Sequence, residues 1–223
     1  MQKAELAKLI DHTVLGPETG PADVERACEE AVRHRFCAVC VPPTYAALTH
    51  RLLRDSGVRT CVTVGFPHGQ HRPEVKALEA KLALDDGADE LDMVIQVAAL
   101  QAGDYPAVLA DIRAVKAVAS KVPRPVVLKV ILECALLSDH QKEAAAILAK
   151  AAGADFVKTS TGFGPGGATA EDVALLRRAV GDQTGVKAAG GIRDYPSALR
   201  MVEAGADRIG ASRSLQILAG APD

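Results

Sequence analysis

Gly153-Ala154-Asp155-Phe156-Val157-Lys158-Thr159-Ser160-Thr161-Gly162 is the stretch on which the fold turns. A glycine suits the left-handed turn that closes a helix, and the run that follows is short and apolar at first, as a strand is. The same Gly-Ala-Asp triplet returns at Gly87-Ala88-Asp89 and at Gly205-Ala206-Asp207. Each follows a segment of helical period and precedes a strand-like run. One αβ turn is reused on this reading, and local turn chemistry alone is the competing explanation.

Outward from that stretch the chain alternates. Leu9–Val14, Phe36–Pro42, Thr60–Phe66 and Glu90–Gln96 read as the first four strands. Val126–Leu132, Phe156–Thr161, Val186–Gly190 and Arg208–Ser212 read as the next four. Amphipathic stretches lie between them, among them Ala22–His34, Pro73–Asp86, Asp104–Ser120 and Asp139–Ala152. Repeated β-then-α units favour a parallel sheet, and eight strands can close it. No Pro/Gly/Ser-rich linker divides the chain. The expectation is therefore an α/β protein, a single (β/α)8 TIM barrel over residues 1–223 with a short extra N-terminal helix. An open doubly wound sheet is the rival, but one common form of it needs a Gly-rich turn after the first strand, which is missing.

Composition narrows the function classes. The hydrophobic fraction of 48% with no tryptophan calls for a core of Ala, Val, Leu and Ile. Twenty-six basic residues against 28 acidic ones argue against a dedicated nucleic-acid binder, which would show a basic stripe. The segment MQKAELAKLIDHTVL lacks the apolar core and cleavage site of a signal peptide, and no apolar run reaches membrane-spanning length. Five cysteines, at 28, 37, 40, 61 and 134, form no disulfide framework. A soluble, cytoplasmic protein with reduced thiols and no membrane partner is expected.

Strands buried on both faces should be apolar, so a charge inside one is informative. Asp92, Lys129, Lys158 and Lys187 fall in the fourth to seventh strands. Neighbouring strands lie roughly 4.8 Å apart, so inward-pointing side chains would form one polar cluster near the barrel mouth. Arg208 opens the eighth strand, where exposure is easy, and is given no weight. A nearby cation and a dry site both disfavour an ammonium, which is a route to a lysine that attacks carbonyls and forms a Schiff base. A carboxylate beside it can move protons. A structural ion-pair network is the alternative. Glycines follow the strands on the same side. They comprise Gly162 and its neighbours after Thr161, Gly190-Gly191, and Gly210-Ala211-Ser212 leading into a short helix at Leu215–Leu218. Such loops bring backbone N–H groups to a phosphate, and Arg193 and Arg213 would add charge.

The segments carrying these features resemble the deoxyribose-phosphate aldolases, class I enzymes that cleave 2-deoxyribose 5-phosphate reversibly to acetaldehyde and glyceraldehyde 3-phosphate. The match lies in Asp11-His12-Thr13, Glu90-Leu91-Asp92-Met93-Val94 and Leu128-Lys129-Val130-Ile131-Leu132-Glu133. It is strongest in Phe156-Val157-Lys158-Thr159-Ser160-Thr161-Gly162-Phe163 and Val186-Lys187-Ala188-Ala189-Gly190-Gly191-Ile192-Arg193. The resemblance implies that Lys158 is the Schiff-base lysine, with Lys187 depressing its pKa and assisting proton transfer. Asp92 would relay protons through water and Lys129 would give electrostatic support. Thr161, Gly162, Gly190, Gly191, Gly210 and Ser212 would hold the substrate and its phosphate. It implies small phosphosugar and aldehyde partners, no cofactor and no metal, and a homodimer or homotetramer. Two departures stand out: Arg213 occupies a place where some relatives carry a small residue, and the tyrosine tail of some longer relatives has no counterpart in Gly220-Ala221-Pro222-Asp223.

Cys37 and Cys40 have CxxC spacing, yet in a strand residues three apart face opposite ways, so no joint metal or redox site is expected. Cys40, at a strand end near the mouth, reads as a core thiol, with access to aldehydes as the alternative. His68 and His71 lack a third ligand and read as loop histidines.

Overall fold

The computed structural model describes residues 1–223. The chain opens on helix α1 (Lys3–Ala7) and strand β1 (Ile10–Thr13). It continues through α2 (Pro21–His34), β2 (Ala38–Val41), α3 (Ala46–Leu53), β3 (Arg59–Val64) and α4 (Pro73–Asp85). Then come β4 (Glu90–Val94), α5 (Val97–Gln101), α6 (Tyr105–Ala119), β5 (Val127–Ile131) and α7 (Asp139–Ala151). The last part holds β6 (Phe156–Lys158), α8 (Ala170–Val180), β7 (Gly185–Ala189), α9 (Tyr195–Glu203), β8 (Arg208–Ala211) and α10 (Ser214–Ala219). The eight strands pair in chain order, all in parallel, and β8 returns to β1 to close a barrel. No helix is long and apolar enough to cross a membrane.

Helix starts follow local chemistry. Proline occupies the first turn of α2, α4, α6 and α9, where its missing N–H costs nothing. Ser138 and Asp194 cap α7 and α9 with side-chain oxygens that accept N–H bonds.

The Gly-Ala-Asp triplet does more than end a helix. Gly87, Gly153 and Gly205 sit at φ of 98°, 85° and 111°, a region open to glycine and strained for other residues. The aspartate that follows then bonds the preceding strand twice. Asp89, Asp155 and Asp207 donate their N–H to the carbonyls of Thr60, Leu128 and Val186. Their carboxylates accept from the N–H groups of those same three residues at 2.9, 2.8 and 2.8 Å. Each carboxylate is also paired with a cation, respectively Arg124, Lys116 and Arg177. The triplet is thus a clamp at the N-terminal rim of three strands.

The two faces of the sheet differ in kind. Outward residues such as Val39, Val62, Leu91, Leu128, Val157, Val186 and Ile209 join one apolar core of 53 buried residues beneath the helices. The interior holds charge instead. Asp11, Glu90, Asp92, Lys129, Lys187 and Arg208 are all buried there and paired with one another. Arg208, given no weight because exposure is easy at a strand start, is only 6% accessible and binds Asp11 and Glu90. Barrel closure explains the correction, because β8 is flanked by β1 and β7 and its first residue points inward between two carboxylates.

Candidate active site

Strand register sets the polar cluster. Asp92 lies opposite Lys129, and Lys158 lies opposite Lys187. All four reach one point. Asp92 Oδ2 accepts from Lys158 Nζ and Lys187 Nζ, each at 2.7 Å, and Asp92 Oδ1 accepts from Lys129 Nζ at 2.8 Å. Below this point the network continues. Lys187 Nζ is 2.5 Å from Asp11 Oδ2, Lys129 Nζ is 2.5 Å from Glu90 Oε2, and Arg208 bridges Asp11 and Glu90.

Sequence reasoning counted three lysines and one aspartate. It missed the burial and pairing of Asp11, Glu90 and Arg208 in this network. Glu90 was accessible to period-two reasoning, since it shares a face with Asp92 two residues on. Asp11, as a charge inside a predicted strand, met the criterion applied to the other four. Only closure brings Arg208 to either of them.

Burial favours the neutral forms of Asp92, Lys129 and Lys187, and the pairing works against it. Burial alone would raise the Asp92 carboxyl; the ammonium groups of Lys129, Lys158 and Lys187 outweigh it and hold Asp92 well below the usual carboxylate range. Burial would likewise lower Lys187, yet Asp11 and Asp92 push its ammonium above the ordinary value. Lys129 is raised by Asp92, Cys61, Glu90 and Asp11 against the same penalty. The buried network holds four cations, Lys129, Lys158, Lys187 and Arg208, against three carboxylates, Asp11, Glu90 and Asp92. Among the lysines of this network, Lys158 alone lines the open cavity at the mouth.

That cavity of about 580 Å³ lies over the C-terminal ends of β1, β6, β7 and β8. Thr161, Gly162, Gly190, Gly191, Gly210 and Ser212 all line it, as do Arg193 and Arg213. Strand β6 ends at Lys158 rather than at the expected Thr161. The Thr159 hydroxyl bonds both the carbonyl and the N–H of Ala189 at 3.1 Å, so a side chain takes over the ladder and the backbone is free to turn. The Thr161 hydroxyl and N–H then bond the buried Glu133 carboxylate, which fixes the start of the glycine loop. Further along, a Cβ on Gly167 would stand 2.3 Å from the Gly190 carbonyl oxygen, so only glycine lets the loops after β6 and β7 meet this closely.

Three smaller expectations meet the structure here. His68 and His71 are exposed. The sulfur neighbour of Cys40 is not Cys37 but Cys61, its register partner on β3, and Cys61 Sγ donates to Asp92 Oδ1 at 3.2 Å. Cys40 is buried, as a core thiol would be. Metal-donor atoms converge at Cys40-Cys61-Asp92 and at Asp11-Cys61-Glu90, but Lys129, Lys187 and Arg208 already bind those carboxylates. A further cation there would meet like charge.

Residues 6–220 match the DeoC/LacD family of aldolases. A deoxyribose-phosphate aldolase of Thermococcus kodakarensis is 52% identical over 225 residues, covering 100% of each chain. That of Streptococcus suis is 50% identical over 217 residues, 97% of each chain. The solved structure of the enzyme from Aeropyrum pernix, described as tetrameric, superposes with a TM-score of 0.90 at 36% identity. That alignment covers 97% of this chain and 91% of the other.

Proposed function

The chain belongs to the DeoC/LacD family of aldolases, and on that premise we propose the reaction and the residues that carry it. The protein is a lyase. It cleaves 2-deoxy-D-ribose 5-phosphate reversibly to D-glyceraldehyde 3-phosphate and acetaldehyde through a lysine Schiff base, and so serves deoxyribose phosphate catabolism. The observation that carries the residue assignment is Lys158 Nζ, at once on the wall of the cavity and 2.7 Å from Asp92.

Lys158, having lost one proton, attacks the C1 aldehyde of the open-chain sugar, and water leaves as the iminium forms. The proton on the C3 hydroxyl is removed and the C2–C3 bond breaks, its electron pair passing into the enamine. Glyceraldehyde 3-phosphate departs, C2 is protonated, and water releases acetaldehyde from the nitrogen. Asp92 carries the protons through water, and Lys187, bonded to the same carboxylate oxygen as Lys158, holds Asp92 in place and assists the transfer. Lys129 holds the other oxygen. Thr161, Gly162, Gly190, Gly191, Gly210 and Ser212 receive the substrate and its phosphate, and Arg193 and Arg213 supply charge at the mouth.

Localisation in the cytoplasm and self-association as a dimer or tetramer belong to the same reading. Val75, Leu78 and Leu82 support the latter, as half-exposed apolar side chains on one helix, α4.

Borohydride reduction in the presence of acetaldehyde, with peptide mass mapping, tests the assignment. An ethyl group on Lys158 is expected, and none in Lys158→Leu. An adduct on Lys129 or Lys187 would reverse the roles of the lysines. No specific adduct in a folded protein would remove the Schiff-base mechanism.

A further inference from the structure

Ser212 and Arg213, together with Val14, Asp23 and Arg26, form the wall between two cavities. One is the catalytic cavity, and the other, of about 380 Å³, lies between α2 and α10 and is lined by His12, Glu30 and Gln216 among others. Behind that wall runs a chain of side-chain bonds. Ser214 Oγ lies 2.9 Å from the Ala211 carbonyl and 2.9 Å from His12 Nδ1. His12 Nε2 lies 2.7 Å from Glu30 Oε2 on α2. Ser214 is fully buried and His12 is 4% accessible. A Ser–His–Glu order invites comparison with a nucleophilic triad, but a buried hydroxyl held from two sides has no substrate to attack.

From this geometry we infer that His12 is a positioning residue for the phosphate turn, acting through Ser214 and anchored by Glu30. Glu30, when ionised, only accepts hydrogen bonds, so His12 carries its proton on Nε2, and burial holds the ring below its ordinary pKa. In the neutral ring Nδ1 is then an acceptor, and the single Ser214 hydroxyl proton is shared between it and the Ala211 carbonyl, each 2.9 Å from Oγ. His12 and Ala211 are register partners on β1 and β8. The ring therefore ties β1 to the first residue of α10, across the two residues after β8 that line the catalytic cavity, Ser212 and Arg213. The ligand class it serves is a phosphate monoester dianion.

The inference rests on the proposed reaction and separates from it in the test. The KM and kcat for 2-deoxyribose 5-phosphate are measured in His12→Gln, His12→Asn and Ser214→Ala, beside the rate of borohydride trapping of acetaldehyde on Lys158, a step with no phosphate. Glutamine reaches Glu30 and abandons Ser214, whereas the asparagine amide falls where Nδ1 was. Expected are a KM raised about tenfold in His12→Gln and Ser214→Ala, near-normal KM in His12→Asn, and unchanged acetaldehyde trapping. Equal loss of kcat and trapping, or no change in KM in Ser214→Ala, would overturn the inference. Ser214→Ala removes one hydroxyl and keeps the test open if the His12 variants fail to fold. Wild-type protein that neither cleaves the substrate nor traps acetaldehyde would instead overturn the reaction, and the positioning role with it.

Discussion

Asp92 receives ammonium hydrogen bonds from three strands at once, and that single carboxylate decides how the cluster behaves. Remove its charge and three buried ammonium groups lose their common partner, which costs more than the lost attraction because each remains desolvated. Asp92→Asn keeps the shape while lowering the proton-transfer capacity. We expect kcat for aldol cleavage to fall by roughly 10²- to 10⁴-fold, with acetaldehyde trapping on Lys158 slowed as well, both measurable in one preparation. A variant of near wild-type rate would place the proton relay elsewhere. The motif reading found Asp92 and the three lysines because each is a charge in an otherwise apolar run. It could not find Arg208, whose significance depends on which strand its own strand meets across the closure.

At the scale of elements, the C-terminal rim and the N-terminal rim divide the work. The upper rim carries the glycine turns and the cavity-lining Lys158; the lower rim carries the Gly-Ala-Asp clamps. Asp155→Ala would leave the buried Leu128 N–H without its acceptor at the lower rim, far from the cavity. A loss of about 1–2 kcal/mol in unfolding free energy is expected by denaturant titration, with kcat unchanged. A large effect on kcat would mean that the rims are coupled. The sequence announced these turns through three repeats of one triplet. It was silent on what the aspartate does, because its acceptor role depends on the neighbouring strand. Lys76 on α4 was likewise overlooked. It is fully buried, bonded to Asp111 on α6 at 2.6 Å and to the Val94 carbonyl at the end of β4 at 2.8 Å. A helical lysine looks solvated until the partner helix is placed.

Across the whole molecule, the charged interior ties stability to pH. Asp11, Glu90 and Asp92 have carboxyl groups held below their unfolded values by buried cations. Groups of this kind add stability that is present above the unfolded pKa and lost as pH falls through the folded one. His12, lowered by burial, adds a loss that begins as pH drops below about 6.5. Thermal unfolding should therefore show a midpoint that declines gently below about 6.5 and steeply below about 4.5. A midpoint flat down to about pH 3 would show that the interior charges are not paired in solution as they are here. What the sequence by itself determined was the order of eight strands and the helices between them, the identity of Lys158, Lys187, Asp92 and Lys129 as misplaced charges, and the glycine turns beside them. All of these are local properties, readable from period, turn chemistry and the cost of burying a charge. Tertiary structure alone decided that three buried carboxylates meet four buried cations, that Cys61 is the sulfur neighbour of Cys40, and that His12 stands behind the Ser212–Arg213 turn. Those relations join residues on strands that the chain brings together only by closing, and no pattern within a strand specifies which atoms will face one another across the barrel.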